Sequence, residues 1–209
     1  MVASIRHLVE LLSDDDFDVA ANALDKLVHH GRAATPALLD ALKSDNDRVR
    51  VLVAEGLEAI ADPASADGLF AALDDPNGQV RAQAASALTR MEDPRAIDAL
   101  VRTIDDFEDI LHSPYTLSTY NLMAWGPEVL PAVAPLLKSD NPMTRMRAFE
   151  VFKSIAPKIP NGDTGKEQIK DLLDDYKPEA PASERDPIAA RLVKAIGQPK
   201  KEERPRRER

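Results

Sequence analysis

The sequence predicts an all-α fold, a right-handed α-α superhelix of about six stacked helix pairs. Three observations predict it. An apolar stripe of helical period recurs along the chain, in helix pairs whose first helices end their core residues at intervals of 30 to 36 residues. Turns rich in Asp and Ser alternate with proline-bearing connections at the same interval. The apolar content is mainly Ala and Leu, with aromatics at only 4%, which favours helices packed closely through small side chains.

The stripe is clearest in residues 80–91, where Val80, Ala84, Ala87, Leu88 and Met91 fall on one face of a 3.6-residue period. It returns as Val49, Val53, Leu57 and Ile60, and as Thr144, Ala148, Val151, Phe152 and Ile155. Ala20, Ala23, Leu24 and Leu27 match near the start; Ile188, Leu192, Ala195 and Ile196 match near the end. Each of these second (B) helices follows a shorter first (A) helix. The A helices are expected at 5–12, 36–42, 66–73, 96–104, 129–137 and 167–173, with Leu12, Leu42, Leu73, Ile104, Leu137 and Leu173 as their last core residues.

The punctuation has physical causes. Between A and B stand Ser13-Asp14-Asp15-Asp16, Ser44-Asp45-Asn46-Asp47, Asp74-Asp75-Pro76-Asn77 and Ser139-Asp140-Asn141-Pro142. Their side-chain oxygens can accept from the free N–H groups that open helix B, and negative charge suits that end of the helix dipole. Between B and the next A, prolines such as Pro63, Pro94 and Pro127 sit where a helix start has no use for an N–H.

Asp-Pro-x-Ala, a Leu-rich helix, an Asp-rich turn, then Val-Arg and Ala-Ala-x-Ala-Leu resembles the HEAT-like repeat of phycobilisome lyases. Residues 46–104 carry the likeness best, and it extends more loosely over 4–197. It implies a HEAT-like solenoid, and it implies that the arginine after the valine ties neighbouring repeats together. Arg50, Arg81 and Arg145 hold that place, while the first, fourth and sixth repeats lack it. The resemblance also implies a second functional reading, a phycobiliprotein lyase or an assembly chaperone acting on a bilin protein.

The expected organisation is a solenoid over residues 1–198, with an irregular fourth repeat at 96–126 and a stretched last repeat at 165–198, followed by a basic, disordered tail at 199–209. In the fourth repeat the A-to-B loop is longer, and helix B is expected to open at Ser113-Pro114. Four of the nine aromatics lie there, the single Trp among them. Phe107, His112, Tyr115, Tyr120 and Trp125 therefore form the candidate partner-binding patch, these being residue types that anchor interfaces. The same bulk also fits a bend of the solenoid filled by larger side chains. In the last repeat, helix B is expected to be capped by Asp186 with Pro187 following.

Charge narrows the partners. Net charge is −9, and Lys200–Arg209 carries six basic against three acidic residues, leaving the body near −12. An acidic body argues against a general nucleic-acid binder and leaves only the tail for that contact. Loop aspartates such as Asp14, Asp45, Asp74 and Asp105 are expected to line one edge, where they cap helices or attract a basic protein or peptide. With no cysteine, thiolate chemistry is excluded, and Met1–Ser13 does not read as a signal peptide. The four histidines form no His-Glu pairs, and no calcium loop, phosphate loop or nucleophile elbow occurs. The sequence therefore predicts no cofactor, no metal and no membrane span. It leaves a cytoplasmic, non-enzymatic scaffold that binds a macromolecular partner.

Overall fold

The computed structural model describes residues 4–106, 114–159 and 164–196, and no β-strand occurs among them. The chain forms two compact units, Met1–Ala124 and Trp125–Arg209. In the first unit four helix pairs follow one another: α1 (Ile5–Leu11) and α2 (Phe17–His30), α3 (Thr35–Ala41) and α4 (Asp47–Ile60), α5 (Ala66–Ala71) and α6 (Gly78–Arg90), α7 (Ala96–Arg102) and α8 (Leu117–Trp125). The second unit holds α9 (Leu130–Val133) with α10 (Pro142–Ile155), and α11 (Thr164–Asp175) with α12 (Ala182–Ile196). The fold is an α-solenoid of helix pairs.

The stripes become the core. Ala20, Ala23, Leu24, Leu27, Val49, Val53, Leu57, Val80, Ala84, Ala87 and Leu88 are buried, as are Thr144, Ala148, Val151, Phe152 and Ile155. Close helix approach uses the small residues: a Cβ on Gly56 of α4 would lie 2.7 Å from the Leu24 side chain of α2. The A helices are short. Pro131 and Pro135 remove two N–H donors from the fifth, so α9 is one turn between 3-10 segments at Pro127–Val129 and Ala134–Lys138.

Helix starts follow the polar turns. Asp16, Asn46, Asn77 and Asn141 each accept the N–H two residues on, at 2.8–3.0 Å. The cap residue's own N–H in turn donates to the side chain two residues back: Asp14, Ser44, Asp75 or Ser139.

Three local expectations are corrected. The fourth B helix opens at Leu117, not at Pro114 (Ser113 lies outside the described residues), because Thr116 and Thr119 cap each other. The Thr119 N–H donates to Thr116 Oγ1 at 3.2 Å and the Thr116 N–H to Thr119 Oγ1 at 2.8 Å. The last B helix begins at Ala182, so Asp186 is not its cap and Pro187 lies inside it. Its buried side is Arg185, Ala189 and Leu192, with Ile188 half-buried. In the second pair Leu38 is fully buried while Leu42 is only half-buried.

Arginines link successive pairs. Arg50 Nη1 donates to the Ser44 and Asp45 carbonyls of its own turn, at 2.8 and 3.3 Å. Its Nε and Nη2 grip the Asp75 carboxylate of the next turn, at 2.7 and 3.0 Å. Arg81 repeats this on the Asp75 and Pro76 carbonyls and the Asp106 carboxylate, its Nε at 2.7 Å. In the second unit Arg145 binds the Ser139 and Asp140 carbonyls, but its Nε donates to the Pro178 carbonyl at 2.8 Å. The stretched last repeat puts a main-chain oxygen where the first unit has a carboxylate.

Candidate functional site

The fourth pair replaces the Ala-rich seam with hydroxyls. Ser118 and Thr119 of α8 are fully buried, and Thr103 Oγ1 shares a 2.7 Å hydrogen bond with Ser118 Oγ. Thr116 Oγ1 donates to the Ile104 carbonyl at 2.9 Å. Partners so placed make burial of these groups affordable, and they leave α8 with Tyr120 and Ala124 turned to solvent.

Tyr120 is 44% exposed, and its ring lies 5.5 Å from that of half-buried Tyr115, tilted by 32°. The structure thus brings two of the five predicted patch residues together. Trp125 is half-buried and ends α8 at the start of the second unit. Phe107 and His112 lie outside the described residues, as does the tail Lys200–Arg209.

Beside Tyr120, Asn121 opens a polar line across three B helices. Its Nδ2 donates to Ser86 Oγ of α6 at 3.1 Å, and Ser86 Oγ donates to Glu58 Oε1 of α4 at 2.7 Å. Ser86 is 2% exposed, covered within this chain of bonds. Glu58 and Asn121 are site residues the sequence reading missed, since neither stands in a motif. Burial, and then the nearby carboxylates of Glu58 and Asp25, raise the Glu55 carboxyl above its ordinary range. Glu55 also lines a groove of about 430 Å³ with Phe17, Arg48, Val51, Leu52 and Gln79. Asp47 and Asn77 line it too, so the groove mixes apolar Phe17, Val51 and Leu52 with polar and charged side chains.

The loop aspartates are partly consumed by structure. Asp75 and Asp106 hold the two arginines, and Asp74 pairs with Arg102. Asp16 caps α2. Among the described residues no group of three or more His, Cys, Asp or Glu could hold a metal ion, and no helix is long and apolar enough to cross a membrane.

Helix pairs stacked with a repeated arginine define an α-solenoid repeat protein. The family model for HEAT repeats matches residues 5–81 and 35–113, which together exceed half the chain. The chain belongs to the HEAT-repeat family. No curated protein matches it. Among solved structures it is similar to the complex of CpcE and CpcF of phycocyanin lyase from Nostoc sp. PCC7120, at 20% identity and TM-score 0.50, over 84% of this chain and 73% of that one. A designed armadillo repeat protein aligns at 17% identity and TM-score 0.41, over 93% of this chain and all of its own. An archaeal HEAT-like repeats protein from Thermococcus onnurineus NA1 aligns at 16% identity and TM-score 0.39, covering 92% of this chain and 86% of that one.

Proposed function

We propose that this chain is a non-enzymatic, cytoplasmic adaptor that binds a protein or peptide on the B-helix face of its first unit, with Tyr120 as the anchor. One observation carries the reading: an exposed tyrosine braced by a second ring beside a polar line that is already hydrogen-bonded. A held ring loses little freedom on binding, and tyrosine offers both an apolar body and a hydroxyl. The carboxylates of Asp25, Glu55 and Glu58 favour a basic partner.

Partners captured from the native cell extract test this. Tyr115→Ala with Tyr120→Ala is expected to reduce capture of the specific partner by about thirtyfold, the loss of one strong anchor. Equal recovery by both baits would sink the proposal. The competing reading, action on a bilin protein, rests on the likeness to the phycocyanin lyase complex. It requires a shift in bilin absorbance on mixing, and an unshifted spectrum would dismiss it.

A further inference from the structure

We propose that the chain associates head to tail with a second copy of itself, Arg185 in the last helix pair of one copy receiving Asp14 from the first pair of the next. This goes beyond the adaptor reading and does not use the Tyr120 surface.

The argument starts from what the linking arginines have in common. Arg50, Arg81 and Arg145 each send Nη1 to carbonyls of their own turn five and six residues back, and each sends Nε to an acceptor in the following pair. Arg185 of α12 is a fourth member. Its Nη1 donates to the Ala180 carbonyl, five residues back, at 2.8 Å. The residue is only 7% exposed, yet its Nε, the atom that reaches the next pair in the other three, has no hydrogen-bond partner. No described helix pair follows α12.

The neighbouring Asp186 does not complete the site. Its Oδ1 stands 3.4 Å from Arg185 Nε, close enough to balance charge, and is itself buried without a hydrogen bond. A buried donor and a buried acceptor both left short of a bond are costly, and charged groups more so. The Asp186 side chain is 39% exposed and can swing aside.

The matching acceptor stands at the other end of the chain. Asp14 Oδ1 accepts the N–H of the cap residue Asp16 at 2.9 Å, as Asp75 Oδ1 accepts the N–H of the cap residue Asn77 at 2.8 Å. Asp75 in that position also takes the Arg50 fork. Asp14 has the same turn, and among the described residues no arginine bonds it. The first turn is acidic, with Asp14, Asp15, Asp16 and Asp18, while α12 carries Arg185, Arg191 and Lys194 against Glu184 and Asp186, and exposes Val193. A donor site on one end and its acceptor on the other make a heterologous contact, in which each copy uses two different surfaces.

Sedimentation velocity of the purified full chain, over roughly two decades of concentration, tests the proposal. The wild type is expected to grow from monomer to larger species as concentration rises, and less so in high salt. Asp14→Asn keeps an oxygen for the Asp16 N–H, so the fold survives, but it should raise the apparent Kd by about tenfold or more. Asp186→Asn removes the internal competitor and should lower it. A wild type that stays monomeric throughout would overturn the proposal. So would association left unchanged by Asp14→Asn in a variant that melts like the wild type.

Discussion

Leu88→Asp is expected to abolish cooperative melting of the first unit. Leu88 is fully buried on α6, the helix that packs against α4 on one side and α7 on the other. Removing a buried leucine gives up about 1.5–3 kcal/mol. Burying an unpaired carboxylate in its place adds several kcal/mol more. The total, about 5 kcal/mol or more, is comparable with the whole stability of a domain. In a repeat array the loss spreads, because each pair relies on its neighbours for a buried face. Thermal melts followed by far-ultraviolet circular dichroism would show it. Asn22→Asp, on the exposed side of α2, should stay within about 0.5 kcal/mol of wild type. A sharp, wild-type melt from Leu88→Asp would refute the packing described for α6.

Arg50→Ala is the second large effect, about 3 kcal/mol in denaturant unfolding of the first unit. The Arg50 and Asp75 side chains are 11% and 10% exposed, so truncation strands a carboxylate with little water to replace the lost fork. It also frees the Ser44 and Asp45 carbonyls. The pair has a pH signature. Burial alone would raise the Asp75 carboxyl, but the Arg50 hydrogen bond, the Asn77 N–H and the charges of Arg50 and Arg81 outweigh it and leave the group below its ordinary value. A depressed acid stabilises the folded state above its unfolded pKa, near 4, and that contribution is lost as pH falls through the folded value. Stability of the wild type should therefore drop as pH falls below about 4, and Arg50→Ala should flatten that part of the curve. An unaltered acid limb in the variant would show that the Arg50–Asp75 pair contributes none of it.

The fold was readable because its causes are local. A stripe such as Val80, Ala84, Leu88 depends only on helical period, and caps such as Asn46 and Asn77 act within two residues. What escaped was set by contacts distant in sequence or by main-chain atoms. Ser86 looks like an outward position until Glu58 and Asn121 close over it from two other helices. Ser113-Pro114 resembles a helix start, but Thr116 and Thr119 satisfy each other's N–H groups and place the boundary later. Arg185 follows Glu184, where its counterparts Arg50, Arg81 and Arg145 follow Val49, Val80 and Thr144 on the buried stripe, so no motif marked it. In the patch, exposure separated Tyr120 from Trp125, and composition alone carries no information on exposure.

The Pro178 carbonyl that meets Arg145 has a consequence for how the protein can drift over generations. An aspartate acceptor vanishes with one codon change and is silenced by a proton. A peptide oxygen is supplied by whatever residue occupies the position, and it does not titrate in the range where carboxylates do. The second unit has thus fastened this joint with an atom that selection need not guard by identity, only by the path of the chain.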